Sequence, residues 1–338
     1  MIARSNQTVG RPTKGQHHQE SGEGSAITVA DAGEFGLIRR VTARATPGKF
    51  TLLGPGDDAA VLRAADGRAV VSTDLLVEGR HFRRDWSGGY DVGRRAAAAN
   101  LADIAAMGAV PTGIVVGLAC PPDLPLEWAD ALADGLREEC ELVGVGVVGG
   151  DIARADQVTI AVTALGDLEG RDPVTRSGAS GGQQVAVAGR LGWSAAGLAV
   201  LARGFRSPAV VVNAYRRPEP PYAAGPQAAT LGATAMIDVS DGLVADLGHI
   251  CRASAVRIEL DTTAFEVPPR LREVGSALGL DPLDWLLAGG EDHALAATFP
   301  RGAELPEPWR VVGRTAAGTG VLVDGEEYPG PGGYDHFG

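Results

Sequence analysis

The stretch DVGRRAAAANLADIAAMGA, residues 91–109, constrains the chain most. Its spacing predicts a helix. At about 100° per residue its apolar side chains run nearly all the way round. Asp103 falls on the face of Val92, Ala96, Ala99, Ala106 and Met107, and Leu101 and Ala105 occupy the other side. A helix apolar all round has to be buried by the rest of the protein. A carboxylate on it is costly unless it is paired or bound to a cation. Two readings stand: a buried salt bridge, with arginine as one partner, or a metal site.

Strands and helices alternate around this helix. AAVLRA, RAVVSTD and TGIVVGLACP read as strands, EWADALADGLREECELVG as a helix, and VGVVGGD and QVTIAVTALG as further strands. QQVAVAG, ATAMIDVS, VRIEL, HALAATF, WRVVG and GVLVD repeat the mixture, with helices at SAAGLAVLARG and LVADLGHICRAS. The fold class is therefore α/β. The run DLEGRDPVTRSGASGG is the natural break, dividing the chain into domains at 31–168 and 169–338. Residues 1–30 are polar, lack apolar periodicity and predict a disordered tail. With 338 residues, 45% hydrophobic, the chain is long enough for two cores.

Composition narrows the function. Net charge is −12, which disfavours nucleic-acid backbones as partners. Lys14 and Lys49 are the only lysines, so a phosphate would be held by arginine, by backbone N–H groups or through metal. Cys120, Cys140 and Cys251 follow no metal or disulfide spacing and suit a reducing compartment. No signal peptide or long apolar span is evident, so a soluble cytoplasmic protein with no membrane partner is expected.

Acidic residues recur where a core-building chain would not place them. Asp74 ends AVVSTD, Asp151 ends VGVVGGD, and Asp238 and Asp241 lie in IDVSDG. Strand ends are where α/β proteins place functional groups. Repeated carboxylates with almost no lysine point to hard cations such as Mg²⁺, held by oxygen ligands and shared with phosphates. Asp57 and Asp58 in GPGDDAAV read either as a solvated turn or as part of the same acidic set. In an extended segment their side chains would point to opposite faces, so the two would not do the same job. GVGVVG matches a dinucleotide fingerprint but precedes a turn and a strand rather than a helix, and no P-loop motif is present.

GEFGLIRR, GPGDDAAV, STDLLVEGRHF, NLADIAAMGA, GGDIARAD, RSGA, IDVSDGLVADLGHI, GGEDHAL and GYDHF occur in this order over nearly the whole chain after residue 30. The ordered set resembles the thiamine-monophosphate kinase family. That resemblance implies a two-domain fold like aminoimidazole ribonucleotide synthetase, with N-terminal sheets pairing across a homodimer. It implies ATP as co-substrate, thiamine monophosphate as acceptor, several Mg²⁺ ions, and direct in-line phosphoryl transfer. It further implies metal contacts at Asp58, Ser72, Thr73, Asp74, Asp103, Asp151, Asp238 and Asp241. Of these, Asp103, Asp151 and Asp241 would be central to catalysis. ATP contacts are implied at Gly150, Asp151, Arg176 and Ser240, and thiamine phosphate contacts at His81, Glu291 and Tyr334.

Plainer readings of some residues stand beside these. Ser240 and Asp241 could cap the helix beginning at Leu243, a role compatible with phosphate or metal binding. His81 could be structural, Glu291 a turn acid, Arg176 a solvated loop residue and Tyr334 a packing residue. A hydrogenase-maturation dehydratase or a selenophosphate synthetase is the alternative within the superfamily. The first would want a C-terminal cysteine and the second a reactive cysteine near the start, and this chain has neither. A non-catalytic nucleotide- or Mg²⁺-binding protein is the alternative of another class.

Overall fold

The computed structural model describes residues 27–53, 61–330 and 333. The expected tail up to residue 26, the Asp57–Asp58 pair and Tyr334 lie outside the described residues.

The first half opens with α1 (Val29–Ala32) and α2 (Glu34–Thr42). The short strands β1 (Thr51–Leu53) and β2 (Val61–Leu62) pair antiparallel. Next come β3 (Val70–Val77), α3 (Gly89–Ala106), β4 (Val110–Cys120), α4 (Leu126–Leu142), β5 (Val147–Arg154) and β6 (Thr159–Asp167). These four longer strands form one sheet in the order β3-β6-β4-β5. Only β4 and β5 run parallel, and α4 is their crossover.

Residues 168–183 lead to the second half. There β7 (Gln184–Ala188), α5 (Trp193–Ala202), α6 (Ala209–Arg216), α7 (Ala224–Thr230), β8 (Ala235–Val239), α8 (Leu243–Ser254) and β9 (Arg257–Leu260) follow in turn. The chain closes with α9 (Pro269–Leu278), α10 (Pro282–Ala288), β10 (Ala294–Phe299), β11 (Arg310–Ala316), β12 (Val321–Val323) and β13 (Glu326–Glu327). Their seven-stranded sheet has the order β13-β12-β9-β11-β7-β10-β8.

Helix α3 lies between the two sheets, which is why it has no polar face. Leu101 and Ile104 pack with Ile114, Ile160, Leu132 and Leu136 in the core of the four-stranded sheet. Ala105 and Ala106 instead join Ala186, Met236, Leu295 and Phe299, on one face of the seven-stranded sheet. The other face of that sheet is covered by α8, through Leu243, Leu247 and Ile250.

Strand alternation divides β3 into two sets. Leu76 packs in the core and Ser72 bonds to α3, whereas Val71 and Leu75 are 60% and 57% exposed on the outer face. Thr73 shares that outer face. Its Oγ1 lies 3.0 Å from Val162 O and 3.0 Å from Thr163 Oγ1 on β6. The strand-end reading of Asp74 and Asp151 is corrected here. Leu75–Val77 and Ile152–Arg154 continue both strands, because those residues pair with β6 and β4 respectively.

Helices α3 and α4 touch backbone to backbone. A Cβ on Gly93 would stand 2.2 Å from Leu132 O, and one on Gly135 would stand 2.1 Å from Tyr90 O. Helix propensity alone favours Gly93→Ala by about 1 kcal/mol. The clash is with backbone and should reverse that sign, costing about 1–3 kcal/mol. We expect a lowered urea midpoint for Gly93→Ala, and a midpoint at or above wild type would contradict this packing.

Candidate active site

A cavity of about 780 Å³ opens where the two halves meet. Asp74 reaches it from β3, His81 from the loop that follows, and Asp103 from α3. The end of β8 and the turn after it contribute Asp238, Ser240 and Asp241, and the loop between α10 and β10 contributes Glu291 and His293. Residues far apart in sequence, Asp74 to Glu291 among them, are thus brought to one wall system.

The cavity is acidic, and its acids are under strain. Asp103 is largely buried, and its carboxyl is raised well above the usual range by that burial and by the neighbouring Asp238. Ser72 Oγ donates to Asp103 Oδ2 at 2.6 Å, which partly opposes the shift. Burial likewise raises Asp74. The arginine partner weighed for Asp103 is therefore not what the fold provides: its partner is a serine. The nearby arginine, Arg95, is committed elsewhere.

Arg95 leaves α3 only 4% exposed and meets Glu291, with Nη2 2.6 Å from Oε2. It also donates to Tyr215 O at 3.3 Å and lies 4.7 Å from the Tyr215 ring centre. Burial is the largest influence on Glu291 and works against its charge, but Arg95 and His293 together outweigh it and hold this carboxyl below its usual range. His293 continues the chain of charge. Its Nδ1 is 3.1 Å from Asp238 Oδ2, and its Nε2 is 3.9 Å from Glu291 Oε2. Burial most strongly disfavours a charged imidazole, but the hydrogen bond and charge of Asp238, with the charges of Glu291 and Asp103, together outweigh it and raise the pKa. Arg95, Glu291, His293 and Asp238 thus alternate in sign along the cavity wall.

The loop that presents Glu291 and His293 is built with care. Both residues have positive φ, 68° and 51°, a conformation costing non-glycine residues about 1–3 kcal/mol each. Their N–H groups donate to Ser240 O at 2.8 Å and to Val239 O at 3.0 Å, which fixes the loop to the end of β8. Gly290 allows that approach, since a Cβ there would stand 2.2 Å from Ser240 O. Between them the buried Asp292 turns away from the cavity and accepts the Ser194 N–H at 2.9 Å, at the start of α5.

Among the sequence-predicted residues, the fold gathers Asp74, His81, Asp103, Asp238, Ser240, Asp241 and Glu291 around the cavity. Ser72 touches it through Asp103. Thr73, Gly150, Asp151 and Arg176 do not line it. Asp151 and Gly150 are exposed on β5, and Arg176 is exposed in a turn where its carbonyl accepts from Ser254 Oγ at 2.7 Å. Gly150 has a packing reason of its own: a Cβ would stand 2.1 Å from Val116 O. The cap reading of Ser240 and Asp241 is corrected. Gly242 holds the N-cap position of α8 without a side-chain cap bond, and Asp246 inside the helix accepts the Asp241 and Gly242 N–H groups, each at 3.0 Å. Among the described residues no three His, Cys, Asp or Glu side chains group closely enough to hold a metal ion by themselves.

Sequence reasoning missed Arg95, Asp292 and His293. A signal for Arg95 was present: a charge on a helix with no polar face needs a partner as much as Asp103 does. His293 stood two residues after Glu291 in the same motif.

Residues 56–168 match the family described as AIR synthase related protein, N-terminal domain. The chain is 50% identical over 313 residues to thiamine-monophosphate kinase of Mycobacterium tuberculosis, covering 92% of this chain and 93% of that protein. The chain belongs to the thiamine-monophosphate kinase family. The enzyme of Escherichia coli K12 is 35% identical, with 90% of this chain and 98% of that one covered. The solved thiamine-monophosphate kinase of Stenotrophomonas maltophilia superposes with a TM-score of 0.77 at 33% identity, over 89% of this chain and 99% of that one. AaThiL complexed with AMPPCP and TMP gives 0.76 at 31% identity, over 92% and 99%. The expected aminoimidazole ribonucleotide synthetase-like α/β fold is thereby borne out, and the chain is a kinase of this family.

Asp292 offers a test of the loop. Burial pushes its carboxyl up to about 7 from an ordinary 3.8, although the Ser194 N–H pulls the other way. A raised folded-state carboxyl keeps a proton that the unfolded chain has lost. Its contribution is therefore intact below about pH 4 and is lost as pH rises toward 7. Asp292→Asn keeps the acceptor oxygen and removes the titration. Relative to wild type, its urea midpoint should gain steadily between those pH values. A difference that stays flat with pH would refute the assignment.

Proposed function

We propose that this cavity transfers the γ-phosphoryl group of ATP to the phosphate of thiamine monophosphate, giving thiamine diphosphate by direct in-line attack. The observation carrying the reading is the cavity at the seam of the two halves, lined by Asp74, Asp103, Asp238, Asp241 and Glu291. It occurs in a chain that superposes on a relative solved with AMPPCP, an ATP analogue, and TMP.

The acceptor is a phosphate oxygen. A phosphate monoester has a second pKa near 6, so at neutral pH it is already largely a dianion and needs no strong general base. Repulsion between two polyanions is the obstacle, and positioning with charge neutralisation is the remedy. The donor set suits Mg²⁺. Asp74, Asp103, Asp238 and Asp241 supply hard oxygen atoms. The Asp103 and Asp74 carboxyls are raised first by burial and then by like charge from Asp238, among others, a penalty a bound cation would relieve. Bound there, Mg²⁺ would neutralise phosphate charge as it builds up. Asp58 and Ser72 belong to the same proposed set. His81 and Glu291 are assigned to thiamine phosphate, together with Tyr334, and Ser240 to ATP.

Thr73, Gly150, Asp151 and Arg176 enter the reading differently, since none lines the cavity. The register places Thr73 and Asp151 on the outer face of the four-stranded sheet, with the exposed Val71, Leu75 and Val115. A homodimer paired through these sheets would cover that apolar face, and Asp151 and Thr73 would then work at the subunit boundary. Three free, buried cysteines are consistent with the expected cytoplasmic setting.

Purified protein with ATP, Mg²⁺ and thiamine monophosphate should form thiamine diphosphate, and EDTA should stop it. Absence of product, or equal turnover of unphosphorylated thiamine, would sink the proposal. Asp103→Asn should lower kcat at least about 100-fold, the loss expected when a charge-stabilising group is removed. Its urea midpoint should match or exceed wild type, because a strained buried charge is gone. Near-normal turnover would make Asp103 structural.

A further inference from the structure

Charge accounting around the cavity leaves one cation without an assigned partner. The arginines lining it are Arg80, Arg83 and Arg95. Arg95 is held by Glu291 at 2.6 Å and Arg83 by Asp85 at 2.9 Å. The adjacent Arg84 is held by Glu78 at 2.6 Å. No carboxylate among the described residues pairs with Arg80, and its side chain is exposed to the cavity mouth. Lys49, the only lysine among the described residues, does not line the cavity and instead sits over the Phe50 ring.

The backbone beneath Arg80 is fixed. The Arg80 and His81 N–H groups both donate to Val77 O, at 3.1 and 2.9 Å, and the Gly79 N–H donates to Phe82 O at 2.8 Å. The Val77 N–H donates to His81 Nδ1 at 3.0 Å, which ties the imidazole to the same turn. Gly79 takes φ +80°, which favours glycine, and Phe82 anchors the loop in the core at 2% exposure. A pinned turn thus carries Arg80 beside His81 on the cavity lining.

We infer that Arg80 is a specificity-determining residue that binds the phosphate of the acceptor and so distinguishes thiamine monophosphate from thiamine. This rests on the kinase reading proposed above. The acidic wall repels a phosphate dianion, so that end of the acceptor needs a cation that no carboxylate already neutralises. A guanidinium can offer it two parallel N–H donors. Arg80 adjoins His81 on the cavity lining, and His81 is assigned above to thiamine phosphate, so Arg80 belongs to the acceptor end of the cavity.

The test compares wild type, Arg80→Gln and Arg80→Lys. Each is assayed for KM with thiamine monophosphate and with ATP, and titrated calorimetrically with thiamine monophosphate and with thiamine. Arg80→Gln should raise the KM and the Kd for thiamine monophosphate roughly 10- to 100-fold, the loss of a charge-assisted contact. Its KM for ATP and its Kd for thiamine should stay near wild type, and Arg80→Lys should recover part of the loss. An unchanged Kd for thiamine monophosphate overturns the inference. So does an equal loss for thiamine, or a KM effect on ATP instead. Failure of the kinase reading would show separately, as wild type that forms no thiamine diphosphate. The ligand-binding comparison would still decide the role of Arg80.

Discussion

Burying two opposite charges on one helix is the constraint on which this structure depends. Arg95 and Asp103 both leave α3, a helix enclosed by α4 and by both sheets. Neither charge has bulk water to fall back on, so each dictates what must stand opposite. Arg95 requires Glu291 and so fixes the loop between α10 and β10 against the first half of the chain. Among the described residues Asp103 accepts from the Ser72 hydroxyl and has Asp74 and Asp238 as acidic neighbours, so negative charge is concentrated there. The same helix therefore closes the seam between the two halves of the chain at one position and concentrates negative charge at another. The cavity is the space between them.

Other contacts across the seam support this arrangement without entering the cavity. Tyr222 donates to the buried Glu139 of α4 at 2.6 Å, and Glu139 also pairs with Arg94 of α3. Arg216 donates to Trp86 O at 2.6 Å. Such bonds hold the two halves in register while the Glu291–His293 loop bears its strained backbone. Strain at these positions persists only where the surroundings over-determine it. Here Asp292 fastens the loop to α5 and the paired N–H groups fasten it to β8. The stability of the seam thus sustains the geometry of the site.

How much of this was legible in the sequence follows from the same physics. Hydrophobic periodicity located α3, α4, α8 and the central strands, because burial on one or both faces imposes a period that residue types reveal. It missed α6, α7, α9 and α10. Helix α6 contains AVVVNAYR, whose β-branched run favours a strand, and it is helical only because Val211, Val212 and Tyr215 pack on α5. Helix α7 carries Gly225 and Pro226; the glycine is there because a Cβ would stand 2.0 Å from Ala105 O on α3. For the site, the carboxylates stood out because they interrupt apolar runs. Their partners did not, since Arg95 to Glu291 and His293 to Asp238 are tertiary pairings that no local spacing encodes. Strand ends misled for Asp74 and Asp151, where β-compatible residues carry the strand past the acid.

An acidic cavity for two anionic substrates looks contradictory until charge is counted by region. Toward Asp74, Asp103 and Asp238, the described cavity-lining residues supply His293, which is already bound to Asp238. Toward His81 the balance shifts, because Arg95 neutralises Glu291 and Arg80 carries no assigned counter-charge. A phosphate entering unaccompanied is repelled by the first region and attracted by the second, while one carrying hard cations suits the first. With lysine almost absent, this division is made by placing arginines rather than by adding them. The cavity can thus order its two phosphate-bearing partners by charge before any reacting atoms meet.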